Sequence, residues 1–413
     1  MNHFHEKRGA LWCEDVPLAR IAQEVGSPTY VYSAATLTRH LDVVQRAFAA
    51  TPTLVCYSVK ANSTLAVLKL FAKQGAGFDI VSVGELGRVQ AAGGDARKVV
   101  FSGVGKREDE LEAGLRAGIL MFNVESAEEL ELLNKVGTRL KKRAPFALRV
   151  NPDVDAKTHR YIATGLKTSK FGVPFEEAVA LYKKSRRMQG LEARGVDCHI
   201  GSQLTDARPM REAILRVGGL YSELKAQGFK LTHLDVGGGL GVTYTTENPP
   251  SVDTYARTII DAAKGTGATL VLEPGRVLVA NAGVLLTRVL FNKRTPTKHF
   301  VIVDAGMNDL LRPALYEAHH DIVAVQPRRG RKTTVEVVGP VCESTDVLGK
   351  ARRFAPLKAG DLLAIKSAGA YGMSMASTYN SRQRPAEVLV EGNRYRVVRQ
   401  REALEALWQG ETP

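Results

Sequence analysis

Four short segments carry side chains that could do chemistry, and each closes an apolar run. Tyr57-Ser58-Val59-Lys60-Ala61-Asn62 offers a primary amine. Such an amine can condense with a carbonyl, which is how carbonyl cofactors are held; a lone lysine beside a strand is also a common surface charge. Cys198-His199-Ile200-Gly201-Ser202-Gln203 offers an imidazole that could act as a base, a ligand or a flat surface against a ring. A half-buried histidine with satisfied hydrogen bonds is the plainer alternative. Asp235-Val236 leads into Gly237-Gly238-Gly239, whose backbone amides can close on a phosphate. Glu273-Pro274-Gly275-Arg276 sets a carboxylate and a guanidinium on a stiff turn, where a simple surface ion pair would need no such stiffness. An amine for an imine, amides for a phosphate and a carboxylate for a pyridinium nitrogen together describe the needs of pyridoxal phosphate.

These residues need a scaffold that brings several strand ends to one place. From about residue 28, eight short apolar runs alternate with helical patterns or Gly-rich turns: 54–58, 78–82, 99–102, 119–124, 146–150, 195–200, 233–236 and 269–272. Ser82 with Glu85, and Ser126 with Glu129, have the spacing of a capping box at a helix start. Eight strand–helix units in such a length predict a (β/α)8 TIM-like barrel, whose site lies at the C-terminal strand ends. A doubly wound sheet would need a Gly-rich fingerprint after its first strand, and none is present. Beyond about residue 281 the runs 284–291, 298–303, 333–338, 361–365, 387–390 and 394–398 are β-type with little helix between them. The expected division is therefore a cofactor-binding barrel over 28–280 and a mainly antiparallel β-barrel or sandwich domain over 281–413, joined by residues 1–27.

Composition narrows the classes. Of 413 residues 44% are hydrophobic and 24% charged, the mix of a water-soluble globular chain. No apolar run is long enough to span a bilayer, so no membrane partner is expected. The first residues mix His, Glu, Lys and Arg without an apolar stretch, unlike a signal peptide. Cys13, Cys56, Cys198 and Cys342 match no zinc or disulfide spacing, which predicts no metal site and a reducing cytoplasm. A net charge of +14 raises nucleic acid as a partner, but the basic clusters, such as 141–143 and 328–332, are short, scattered and without interleaved aromatics. A basic surface that draws in anionic metabolites accounts for them instead.

Further strings follow in order: Phe78–Leu86, Asp304–Tyr316, Gly339–Asp346, Gly369–Gly372 and Asn380–Pro385. With the four strand ends, they make the chain resemble the barrel-type (fold type III) pyridoxal-phosphate-dependent decarboxylases over nearly its full length, and among these the members acting on diaminopimelate. The resemblance implies that Lys60 forms the imine, His199 stacks on the cofactor ring and Glu273 pairs with the pyridinium nitrogen. It places the phosphate on the amides of Gly238, Gly239, Gly275 and Arg276, near Ser202 and the Tyr371 hydroxyl, with Asp79 positioning Lys60 or His199. It makes Cys342 the proton donor, reaching across a homodimer into the partner's site. Arg276, Arg312, Tyr316 and Tyr371 would bind a substrate carboxylate and Glu343 its ammonium. The implied reaction turns meso-2,6-diaminopimelate into L-lysine and carbon dioxide. Ornithine, D-lysine and carboxynorspermidine decarboxylases share the cofactor chemistry and are the nearest alternative, but a diamine end would leave Arg312 without a carboxylate. A racemase would call for a tyrosine base where this chain has Cys342, and a non-enzymatic relative would be expected to have lost Lys60 or Cys342.

Overall fold

The computed structural model describes residues 2–154 and 170–412. They divide into two compact units, one of residues 41–242 and 248–277, the other of 1–40, 243–247 and 278–413.

In the first unit, among the described residues, eight strands form a closed parallel barrel. They are β1 (Thr53–Ser58), β2 (Gly77–Ile80), β3 (Val99–Phe101), β4 (Met121–Val124), β5 (Ala144–Asn151), β6 (Leu191–Asp197), β7 (His233–Asp235) and β8 (Thr269–Leu272). Each pairs with the next in chain order, and β8 returns to β1. Strands buried on both faces read as near-continuous apolar runs, which is why all eight were visible in the sequence. Successive side chains still alternate between the interior and the helices. Cys56, Val100, Met121, Ala147 and Val271 form one buried cluster, while their chain neighbours Tyr57, Phe101, Phe122 and Phe146 are fully buried against other neighbours. Phe122 packs against the helix Glu108–Ala117: a Cβ on Gly114 would lie 2.9 Å from its ring.

Both expected capping boxes start helices. Ser82 Oγ accepts from Glu85 N at 3.2 Å and Ser126 Oγ from Glu129 N at 3.1 Å. The returning carboxylates reach one residue further than the pattern assumes, to the amides of Val81 and Glu125 at 2.8 and 3.0 Å. The last residue of each preceding turn is thereby tied down as well as the helix start.

The second unit is built on the long strand β9 (Gly283–Arg294), which pairs antiparallel with His299–Val303, Leu362–Ile365 and Thr29–Ser33. Thr29–Ser33 pairs parallel with Ala386–Glu391, and His299–Val303 parallel with Thr333–Val338. The remaining pairings of this sheet are antiparallel. Residues 4–17 form a small antiparallel meander whose Leu11, Cys13 and Val16 join the core of Val284, Leu286, Val388 and Val390. One edge of the expected division moves. Thr29–Ser33 lies in the β unit rather than the barrel, so the boundary falls near residue 41 instead of 28. A wholly buried five-residue run has the same pattern in either sheet, and only its partners decide which it joins.

Candidate active site

At the C-terminal ends of the barrel strands the interior changes from apolar to polar in one step. Two residues beyond the buried cluster members Cys56, Val100, Met121, Ala147 and Val271, on the same face, come Ser58, Ser102, Asn123, Arg149 and Glu273. Strands β6 and β7 add Asp197 and Asp235, and β2 adds Asp79; all eight of these polar residues are buried.

Lys60 follows β1 in a single 3-10 turn, Val59–Ala61, which lifts its side chain out of the strand alternation. Its Nζ lies 2.9 Å from Asp79 Oδ2; the Lys60 side chain remains 38% exposed, whereas that of Asp79 is fully buried. Ser58 Oγ lies 2.8 Å from the same Asp79 oxygen and 3.0 Å from the Glu273 carbonyl oxygen, its one hydrogen shared between the two acceptors. Adjacent strands thus fix an accessible amine over a buried carboxylate. Of the two expected partners for Asp79, the structure pairs it with Lys60.

Glu273 Oε1 accepts from Ser102 Oγ and Asn123 Nδ2, each at 3.2 Å. The same Asn123 Nδ2 donates to Asp235 Oδ2 at 3.1 Å. Carboxylate oxygens of Asp197, Asp235 and Glu273 all lie within 4.8 Å of one another. Burial first, then the Asp79 charge, pushes the Glu273 carboxyl up to about 7. Burial followed by Glu273 also raises Asp197 and Asp235 well above the usual carboxylate range. Sequence reasoning found Glu273 but missed Asn123, Ser102, Asp197 and Asp235 as its surroundings. The signal was the two-residue step from an apolar interior position to a polar one on successive strands.

An acid whose pKa is raised on folding loses stability as pH rises through the window between its unfolded and folded values, here from about 4.5 to about 7. Glu273→Gln keeps the acceptor oxygen without the charge. The cofactor-free variant should therefore gain thermal midpoint over the unsubstituted protein at pH 8 and little at pH 5. Equal shifts at both pH values would contradict the burial of a charge here. The expected gain at pH 8 is on the order of 1–3 kcal/mol.

His199 stands just beyond β6. Burial, then Arg149 and Lys60, holds its imidazole well below the ordinary histidine range, so the ring is neutral. Its Nδ1 accepts from Gly238 N at 3.2 Å. That amide thus orients the imidazole in this structure. The reason is close packing, because a Cβ on Gly238 would lie 2.1 Å from the Glu273 carbonyl oxygen. Gly239, at φ +113°, would place a Cβ 2.4 Å from the Gly201 carbonyl oxygen. The glycine run is therefore required where the ends of β6, β7 and β8 meet. Arg276 Nη2 donates to Ser202 Oγ at 3.0 Å, joining two of the expected anion-binding residues; Gly275 immediately precedes Arg276.

The other expected residues lie in the β unit. Arg312 and Tyr316 begin and end the short helix Arg312–Tyr316. Cys342 is exposed, and its amide donates to Asn380 Oδ1 at 2.7 Å. Asp346 fastens the same loop by accepting from the amides of Val341 and Met307, both at 2.7 Å, leaving Cys342 and Glu343 at an exposed tip. Tyr371 sits at φ +55°, a left-handed conformation that costs a non-glycine residue energy and sets the direction of its ring.

The residues at the barrel end fit pyridoxal 5'-phosphate. An accessible amine, a neutral flat imidazole and a buried acid cluster that calls for a proton or a cation are the partners of its carbonyl, ring face and ring nitrogen. Comparison with known proteins agrees. Residues 34–280 match the family described as pyridoxal-dependent decarboxylase, pyridoxal binding domain. The chain belongs to the pyridoxal-dependent decarboxylases, and within them to the diaminopimelate decarboxylase family. The diaminopimelate decarboxylase of Vibrio cholerae is 53% identical over 410 residues, covering 99% of this chain and 98% of that one. The crystal structure of the Helicobacter pylori diaminopimelate decarboxylase complexed with L-lysine superposes with TM-score 0.92 at 43% identity, over 95% of this chain and 98% of that one. The M. jannaschii diaminopimelate decarboxylase in co-complex with L-lysine gives TM-score 0.95 at 38% identity, over 100% of this chain and 99% of that one.

Proposed function

We propose that this chain uses pyridoxal 5'-phosphate to decarboxylate meso-2,6-diaminopimelate, releasing carbon dioxide and L-lysine as the last step of lysine biosynthesis. The observation that carries the reading is the placement of Lys60 and Glu273 just past two neighbouring strands of one barrel, an amine over Asp79 beside a buried acid cluster. When bound, the cofactor supplies a conjugated ring that takes up the electron pair freed as carbon dioxide leaves. Lys60 Nζ is the amine that engages its carbonyl, and Asp79 keeps that amine in place. His199, neutral and fixed by Gly238, lies flat against the ring. Glu273 would hold a proton at the ring nitrogen, with Asn123 and Ser102 keeping its carboxylate still. Gly238, Gly239, the Gly275–Arg276 amides, Ser202 and Tyr371 hold the phosphate.

Two further parts of the reading concern the β unit. Arg312, with Arg276, Tyr316 and Tyr371, receives the carboxylate of the amino-acid head that is not decarboxylated, and Glu343 its ammonium. Cys342 returns a proton to the carbon that lost carbon dioxide, acting from the partner subunit of a homodimer; its exposed loop tip suits that reach. The four cysteines are free thiols and no helix among the described residues is long and apolar enough to cross a membrane, which supports a reducing, aqueous compartment, the cytoplasm.

Carbon dioxide release by the purified protein with pyridoxal phosphate tests the reaction and the substrate together. Release is expected from meso-diaminopimelate and not from ornithine, lysine or arginine. Turnover of a diamine precursor at a comparable rate would leave the cofactor chemistry standing and overturn the roles of Arg312 and Glu343.

A further inference from the structure

The string Asn380–Pro385 has no part in the cofactor site, yet its first residue reaches the loop that carries Cys342. Cys342 is the middle residue of a three-residue turn, closed by Glu343 N donating to the Val341 carbonyl at 2.8 Å. That bond sets the backbone of Cys342 locally. It does not set how the turn as a whole is aimed. Two side chains from outside the turn do so. Asp346 Oδ2 accepts from Val341 N at 2.7 Å, and Asn380 Oδ1 accepts from Cys342 N at 2.7 Å. Two successive peptide planes are thus fixed, and the second leads directly into the Cα that bears the thiol.

Asn380 is itself presented by an unusual backbone. It lies at φ 58°, ψ 29°, and Ser381 follows at φ 51°, two left-handed residues in succession. Asparagine is among the few residues with a side chain that enter this region at small cost. Both partners of the Cys342 bond rest on one short stretch of chain. Met307 N donates to the Asp346 carboxylate at 2.7 Å, at the base of the cysteine loop. The neighbouring Asn308 carbonyl accepts from Ser377 N at 2.8 Å, three residues before Asn380. Cys342 and Asn380 are both exposed, so their bond seals no core. What it does is hold the one residue of the loop that carries a thiol.

We propose that Asn380 is a positioning residue for proton return: its side-chain oxygen aims the turn centred on Cys342 so that the thiol meets the carbon that lost carbon dioxide. The inference rests on the reading of Cys342 given above. Without the acceptor the turn keeps its internal bond and its tie to Asp346, but it pivots about the Val341 end. The thiol then samples directions that miss the carbon. Misplacing a reacting group by about 1 Å costs on the order of 10²-fold in rate.

Two variants of the holoenzyme separate the acceptor from the backbone that presents it. Asn380→Gly deletes the side-chain oxygen and keeps the left-handed conformation, whereas Asn380→Asp keeps both. At saturating meso-diaminopimelate, Asn380→Gly should lower kcat roughly 10–100-fold, and Asn380→Asp should stay within about threefold of the unsubstituted enzyme. Carbon dioxide leaves before the proton returns. Rapid-quench measurements on Asn380→Gly should therefore show about one carbon dioxide per site released quickly, followed by slow turnover. In a Cys342→Ala background, Asn380→Gly should slow turnover by less than about twofold, because the thiol it would aim is gone. Full kcat in Asn380→Gly, an equal slowing in Asn380→Asp, or an undiminished effect in the Cys342→Ala background would each overturn the proposal. Cys342→Ala alone tells the two readings apart. If it is not slowed, the role of the cysteine has failed; if it is slowed and Asn380→Gly is not, only the present proposal is lost.

Discussion

Lys60→Ala is expected to abolish both turnover and the visible absorbance of bound cofactor, while the protein keeps its fold. Fold retention follows from position: Lys60 lies beyond the end of β1, and its amine is partly exposed, so truncation opens no cavity in the core. The loss of activity follows from chemistry. In the proposed function Lys60 is the amine that secures the cofactor carbonyl, and Asp79, Ser58 and Glu273 are arranged behind it. Removing a residue that bonds covalently during a reaction costs on the order of 10³–10⁶-fold in rate. Turnover with added pyridoxal phosphate, followed beside the absorbance spectrum and a circular dichroism melt, measures all three. A variant that folds and retains full turnover would end the assignment. The alanine also leaves Asp79 buried without its ion pair, so a modest drop in thermal midpoint is consistent with the same geometry.

Cys342→Ala should bind cofactor normally and turn over about 10²–10⁴-fold more slowly, the range by which general acid catalysis accelerates a step. Its side chain is exposed and the loop is held by Asp346 and Asn380 rather than by the thiol, so stability should be nearly unchanged. The stronger test mixes two inactive proteins. If Cys342 serves the partner's site, a dimer of one Lys60→Ala chain and one Cys342→Ala chain contains one site with both residues intact. An equal mixture allowed to exchange subunits should then recover about a quarter of unsubstituted activity, because half the dimers are mixed and each has one good site. If the cysteine serves its own chain, every mixed site lacks one residue and nothing is recovered. Recovery of nothing, with mixed dimers demonstrably present, therefore removes the shared-site reading and leaves the barrel chemistry untouched.

What the sequence revealed and what it hid have distinct physical origins. The barrel was legible because each parallel strand must be apolar on both faces and is followed by a helix, a rhythm few other folds produce. The residues proposed for the site were legible because barrel chemistry gathers at strand ends, so Lys60, His199 and Glu273 stand where a reader looks first. The strand Thr29–Ser33 does not stand out in the sequence because burial on all sides erases the alternation that would identify its partners. Asp197, Asp235 and Asn123 escaped notice because single polar letters at the ends of apolar runs look like the start of a loop. Only the interior register makes them neighbours of Glu273.

The placement of Thr29–Ser33 also bears on how the molecule is made. Its two sheet partners, Gly283–Arg294 and Ala386–Glu391, both lie downstream of the last barrel strand in the chain. During synthesis this apolar strand emerges early, yet neither of its edges can be covered until the ribosome has passed the barrel, and the second edge only near the end of translation. Throughout that interval it is a long-lived unpaired edge, the feature by which nascent chains recruit one another into aggregates. The interruption of the β unit by the barrel thus has its cost during synthesis, as an interval in which a strand edge stays open, rather than in the finished fold. A chain released early, before Ala386, carries that exposed strand for its whole lifetime.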